Sequence, residues 1–147
     1  MSQECNFNRE YNLAASRKKS SKKVPASHQA GALDNLFRWY DSNPKPYAGG
    51  ILVLPTGGGK TFAGVRFLTR KALSDGYKVL WLAHTHHLLE QAFNSLGEDV
   101  GQIAEPKKSL HVRAVSGGIG YFPVHTIKSN EGFEKPLYGK AYILLIL

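Results

Sequence analysis

Cysteine is almost missing from this chain of 147 residues. Cys5 stands alone, which excludes a disulfide framework and a cysteine zinc site. Long apolar runs are missing too. The longest, 141–147, falls far below the roughly 20 residues that cross a bilayer, and no charged-then-apolar leader opens the chain; a cytoplasmic setting without a membrane partner is the expectation. Internal repeats are absent, and low complexity is confined to the first residues. Acidic groups are scarce, with 11 Asp and Glu against 19 Lys and Arg, a net charge of +8.

Half of that excess lies in residues 1–23, where Arg9, Arg17, Lys18, Lys19, Lys22 and Lys23 face only Glu4 and Glu10, a net of +4. With Ser16, Ser20 and Ser21 and few apolar residues, this segment has little surface to bury against its ordering entropy. A flexible basic arm is expected, either simply solvated or touching phosphate backbones. The remainder, with 42% hydrophobic residues overall, is enough for one domain with a core.

The most informative stretch is Leu54-Pro55-Thr56-Gly57-Gly58-Gly59-Lys60-Thr61. Glycines turn tightly and bring successive backbone N–H groups into one concavity suited to a polyphosphate. In such a loop Thr56, Gly57, Gly58 and Gly59 line the anion, Lys60 reaches the β- and γ-phosphates, and the Thr61 hydroxyl helps hold Mg²⁺. A helix starting near Lys60 adds its dipole at the same place. The strict pattern asks for glycine where Leu54 stands. Context supports the reading: 50–54 is an apolar, β-branched run of the kind buried in a parallel strand, and Val65, Leu68 and Ala72 follow at helical spacing until Asp75-Gly76.

Other elements follow from the same periodicities. Ser27 is placed to cap a helix to about residue 40, with Leu33, Leu36, Phe37 and Tyr40 on one stripe. A strand at 78–83, a helix from 86 to about 96 stopped by Gly97, a short strand at 110–115 and a final apolar strand at 142–147 complete the pattern. Alternating strands and helices predict an α/β, P-loop fold: a parallel sheet with helices on both faces and ligands at the carboxyl ends of the strands. The final strand stops without a turn residue. It is therefore expected to leave an open edge and an uncovered face, and hence poor solubility, as in an incomplete domain.

With these residues in place, the chain resembles the first RecA-like domain of superfamily 2 helicases, in the DEAD/DEAH-type branch that contains the type III restriction endonuclease Res subunits. Residues 54–61 resemble that family's motif I, in which the leading glycine is commonly absent. Ser27-His28-Gln29-Ala30 resembles the helix whose glutamine contacts adenine, and Gln29 matches that glutamine, although Ala26 stands where the family often has arginine. Residues 79–92 are similar to motif Ia, whose loop lies on the nucleic-acid backbone. The resemblance implies ATP and Mg²⁺ as cofactors, nucleic acid as partner, DNA ahead of RNA, a second RecA-like domain in a longer parent, and accompanying nuclease or methylase subunits. Residues 1–23 are then an arm, and 24–147 the N-terminal part of the ATP-binding domain.

One family feature does not occur in the sequence: the Asp-Glu-x-His box that binds Mg²⁺ and orients the attacking water. In the family it follows a strand like 142–147, so the expectation is a truncation there, or a frame change or rearrangement near Asn130. Lys60 and Thr61 supply the part of catalysis the chain carries. Backbone amides at Ala83, His84, Thr85, Ser116 and Gly117 are the expected nucleic-acid contacts, since a motor indifferent to sequence grips phosphates. Trp39 and Trp81 invite base stacking, but helix and strand packing suits both. His84, His86 and His87 invite zinc, with a loop that bonds backbone or nucleic acid as the plainer reading. An ATP-dependent helicase or translocase fragment leads; a non-catalytic remnant and a P-loop kinase are the competing readings.

Overall fold

Apart from 50–54, the apolar runs and stripes form elements close to the expected places. The computed structural model describes residues 8–19, 23–42, 49–115 and 140–146. Their order is β1 (Asn8–Asn12), α1 (Leu13–Lys18), α2 (Ser27–Ser42), α3 (Lys60–Arg70), β2 (Lys78–Leu82), α4 (His86–Asp99), β3 (Ser109–Val115) and β4 (Lys140–Ile146). A short 3₁₀ turn, Val100–Gln102, follows α4.

The sheet has the order β1-β3-β4-β2. Both neighbours of β4 run parallel to it, with Val112 and Val79 flanking Ile143, whereas β1 pairs antiparallel with β3, Glu10 opposite His111. The sheet is thus mixed rather than wholly parallel. β4 is an interior strand, so among the described residues the open edge expected there falls instead on β2.

One core lies on one face of this sheet. Leu110, Val112 and Ala114 of β3 alternate inward and meet Leu13 of α1, Val65 of α3, and Leu89 and Leu96 of α4, with Val79 and Trp81 of β2 at its margin. Burying each such leucine contributes about 1.5–3 kcal/mol. The opposite face differs: Leu80 and Leu82 of β2 are 55% and 69% exposed. Among the described residues, no helix covers this face at β2.

Three further expectations change. Residues 8–18 of the expected flexible arm are ordered as β1 and α1. Asn12 caps α1 through the Ala15 N–H, Leu13 is fully buried, and Arg17 donates to the Ile103 and Lys107 carbonyls at 3.0 and 2.7 Å. A basic side chain here satisfies backbone carbonyls instead of meeting solvent. Gly97 does not stop α4, which continues to Asp99. A Cβ at Gly97 would lie 3.0 Å from the Tyr11 hydroxyl, so the residue makes room for β1.

The third is 50–54, which forms no strand. Ile51 and Val53 are 93% and 82% exposed, while Leu52 and Leu54 are half-buried, an extended segment lying outside the sheet. Its apolar character suits a place beside β4, but β3 and β2 already hold both edges of β4.

α3 is fixed by an ion pair in the interior. Arg66 Nε donates to both Asp99 carboxylate oxygens at 2.9 and 2.8 Å, Nη2 approaches Oδ1 at 2.6 Å, and the Thr69 hydroxyl adds a bond at 3.0 Å. Both charged residues are 2% exposed. The guanidinium also stacks 4.8 Å above the Phe62 ring and donates to the Lys23 carbonyl at 3.2 Å, tying the chain ahead of α2 to α3 and α4. At the other end of α2, the Tyr40 hydroxyl donates to Asp75 at 2.8 Å. Burial, and then that carboxylate, pushes the hydroxyl above its ordinary range, so it remains a donor.

Candidate phosphate-binding site

The loop between the extended 50–54 segment and α3 takes its shape from glycine. Gly57 and Gly59 have φ of +76° and +79°, the left-handed region that costs other residues roughly 1–2 kcal/mol. Gly59 is the residue preceding α3, and no side chain caps that helix. Its first N–H groups therefore lack a side-chain acceptor, the situation in which an anion binds best. Gly58 is buried, with its N–H donating to the Pro55 carbonyl at 2.9 Å. That amide closes a turn instead of facing the concavity, a difference from three successive amides aimed outward.

Lys60 is exposed on the first turn of α3. Its ammonium folds back onto the loop, donating to the Leu54 and Pro55 carbonyls at 2.8 and 3.0 Å. Thr61 is half-buried beside it and Thr56 exposed at the start of the turn. The loop thus gathers Thr56, Gly57, Gly58, Gly59, Lys60 and Thr61. Glycine conformation, uncapped helix donors and one ammonium make a cradle that fits a triphosphate and its Mg²⁺.

α2 reaches the same loop. The Gln29 carboxamide is used at both ends: Oε1 accepts from the Ala26 N–H at 3.0 Å, and Nε2 donates to the Gly58 carbonyl at 3.1 Å. The first contact is the helix-capping one made by a residue three positions into a helix. It makes Ala26, whose carbonyl accepts from Ala30 at 2.8 Å, the cap residue in place of Ser27. A Cβ at Gly59 would overlap Gln29 Nε2. His28 Nε2 lies 3.2 Å from the same Gly58 oxygen. Sequence reasoning passed over His28; its position next to Gln29 at a helix start was the signal available.

The second loop is simpler. Thr85 caps α4 by accepting from the Leu88 N–H at 3.3 Å. Ala83 packs at the margin of the core, and His84 and Thr85 are exposed. Ser116 and Gly117 lie outside the described residues. The His87 ring is paired with Gln91 at 2.8 Å, and among the described residues no group of three or more His, Cys, Asp or Glu is placed to hold a metal ion. Trp81 packs over Gly64 of α3, and Trp39 lies 6.4 Å from the Phe67 ring. Both indoles thus have packing partners.

A family model described as type III restriction enzyme, res subunit, matches residues 22–118. No curated protein and no solved structure matches the chain. Among the described residues, no helix is long and apolar enough to cross a membrane.

Proposed function

Because the chain belongs to the type III restriction enzyme, res subunit family, we propose that residues 24–147 are the N-terminal part of a RecA-like ATP-binding domain from an ATP-dependent DNA helicase or translocase. Family membership itself implies the RecA-like P-loop fold and an ATP-dependent, helicase-like role on nucleic acid in the parent protein. The single observation that carries the finer reading is the geometry at 57–61: two left-handed glycines, an uncapped helix start and Lys60 on its first turn.

In this reading Lys60 exchanges the Leu54 and Pro55 carbonyls for phosphate oxygens, and Thr61 supplies a hydroxyl to Mg²⁺. Gly57 and Gly59 admit the phosphates close to the backbone, and Gln29 lies on the adenine side. Bound Mg·ATP supplies the bond to be cleaved; the chain binds and orients it. The loop at 83–85, where His84 and Thr85 are exposed, grips DNA phosphates, with 116–117 as a second contact. DNA is favoured over RNA by the restriction-enzyme family. A second RecA-like domain and nuclease or methylase subunits belong to the parent, in the cytoplasm.

Turnover by residues 1–147 is expected to be small. The water-orienting Asp-Glu-x-His sequence does not occur, and an arginine finger from a second domain is worth about 10³–10⁵ in rate. That observation also favours the second reading, a nucleotide-binding remnant without catalysis. Calorimetry with Mg·ATP, using Lys60→Ala as control, tests the site: binding by the wild type and its loss in the variant are expected, and no heat of association from folded wild type rejects the proposal. Hydrolysis measured with and without single-stranded DNA separates the two readings, since DNA-stimulated turnover by this chain rejects the remnant.

A further inference from the structure

Two donors from adjacent residues of α2 converge on one oxygen: Gln29 Nε2 and His28 Nε2 both address the Gly58 carbonyl, at 3.1 and 3.2 Å. A carbonyl only accepts, so the ring nitrogen of His28 carries a proton in this contact. The Gly58–Gly59 peptide is trans, and in a trans peptide the C=O and the following N–H point to opposite sides. Drawing the Gly58 oxygen toward α2 therefore turns the Gly59 N–H away from α2. That amide belongs to the residue that opens α3, with φ of +79°.

We infer that His28 is a positioning residue of the phosphate loop, fixing the Gly58–Gly59 peptide so that the Gly59 N–H faces the bound phosphates. The inference rests on the proposed nucleotide site and deepens it: the N-terminus of α2 acts on the triphosphate through the loop, independently of the base. Gln29 shares the task but also caps α2 through Ala26, so its removal mixes two effects. His28 is exposed, and its replacement leaves the core untouched. Glutamine at position 28 retains a donor of similar reach.

The test measures the affinities of the 147-residue chain for Mg·ATP, Mg·GTP and Mg·tripolyphosphate, together with backbone amide exchange over 56–60 without any ligand. His28→Ala should weaken all three probes by the same factor, about threefold to tenfold, the worth of one hydrogen bond. It should also accelerate exchange at 56–60, with the melting temperature unchanged. His28→Gln should restore both. A loss confined to Mg·ATP makes His28 a contact to the base and overturns the inference. So does unchanged affinity and exchange in His28→Ala, or equal loss in both variants with a lowered melting temperature. If the wild type binds none of the three probes, the nucleotide reading fails, and the exchange measurement alone decides whether His28 orders the loop.

Discussion

Along α3 the helix is held in two different ways. In its second half Arg66 and Thr69 are locked to Asp99 in the buried interior, with four hydrogen bonds or close contacts at 2.6–3.0 Å. At its start, Gly59 and Lys60 are held from outside, by His28 and Gln29 on the Gly58 carbonyl and by an exposed ammonium resting on its own loop. The anchor resists solvent because both charges are desolvated and paired. Lys60 is adjustable because its two bonds to the loop are exposed and exchangeable for those of a ligand. In the proposed nucleotide site, this division would let one helix admit and release a highly charged molecule from a fixed position.

The contrast can be broken most severely at the anchor. Asp99→Leu leaves the Arg66 guanidinium buried and uncompensated, and urea unfolding should report a loss of about 3–5 kcal/mol. Adding Arg66→Met should recover most of it; a cost under about 1 kcal/mol for the single change would show that the pair does not anchor the helix. At the other end, Gly59→Ala forces a side chain into left-handed backbone and against Gln29. A loss of about 1–2 kcal/mol is expected, together with a loss of Mg·ATP affinity that the anchor variants, compared while still folded, do not show.

Smaller effects sharpen the same comparison. Tyr40→Phe removes the donor to Asp75 and should lower stability by about 1 kcal/mol, with nucleotide affinity unchanged. Lys71→Ala removes a partly exposed pair with Asp41, 2.8 Å apart. Melting curves should shift by the equivalent of about 0.2–1 kcal/mol at low salt and less at high salt; a shift that ignores salt would count against an ionic origin.

The elements themselves were legible because their signals are local. Leu33, Leu36, Phe37 and Tyr40 share a helical stripe, and the apolar runs 78–83, 110–115 and 142–147 read as strands, within two residues of the observed Lys78–Leu82, Ser109–Val115 and Lys140–Ile146. The loop was legible from three glycines followed by Lys60 and Thr61. What escaped is non-local. Ile51 and Val53 look like core residues until the sheet order shows that β4 has no free edge. Arg66 and Asp99 look solvated until they are seen to be 33 residues apart and paired; the sequence hint was a charge beside Val65 and Thr69 on the buried side of a helix. The His28 contact spans 30 residues, and no periodicity encodes it.

The glycine at position 97 carries a practical corollary for trimming the chain. Its missing side chain is a socket shaped for Tyr11, and Leu13 fills the adjoining space. The family match begins at 22 and ends at 118, so a protein cut to those limits would lose β1, α1 and β4. Both flanks of β3 would be stripped of their hydrogen-bonded neighbours, and the socket would be vacant. The stretch matched by the family is thus smaller than the set of elements that surround β3.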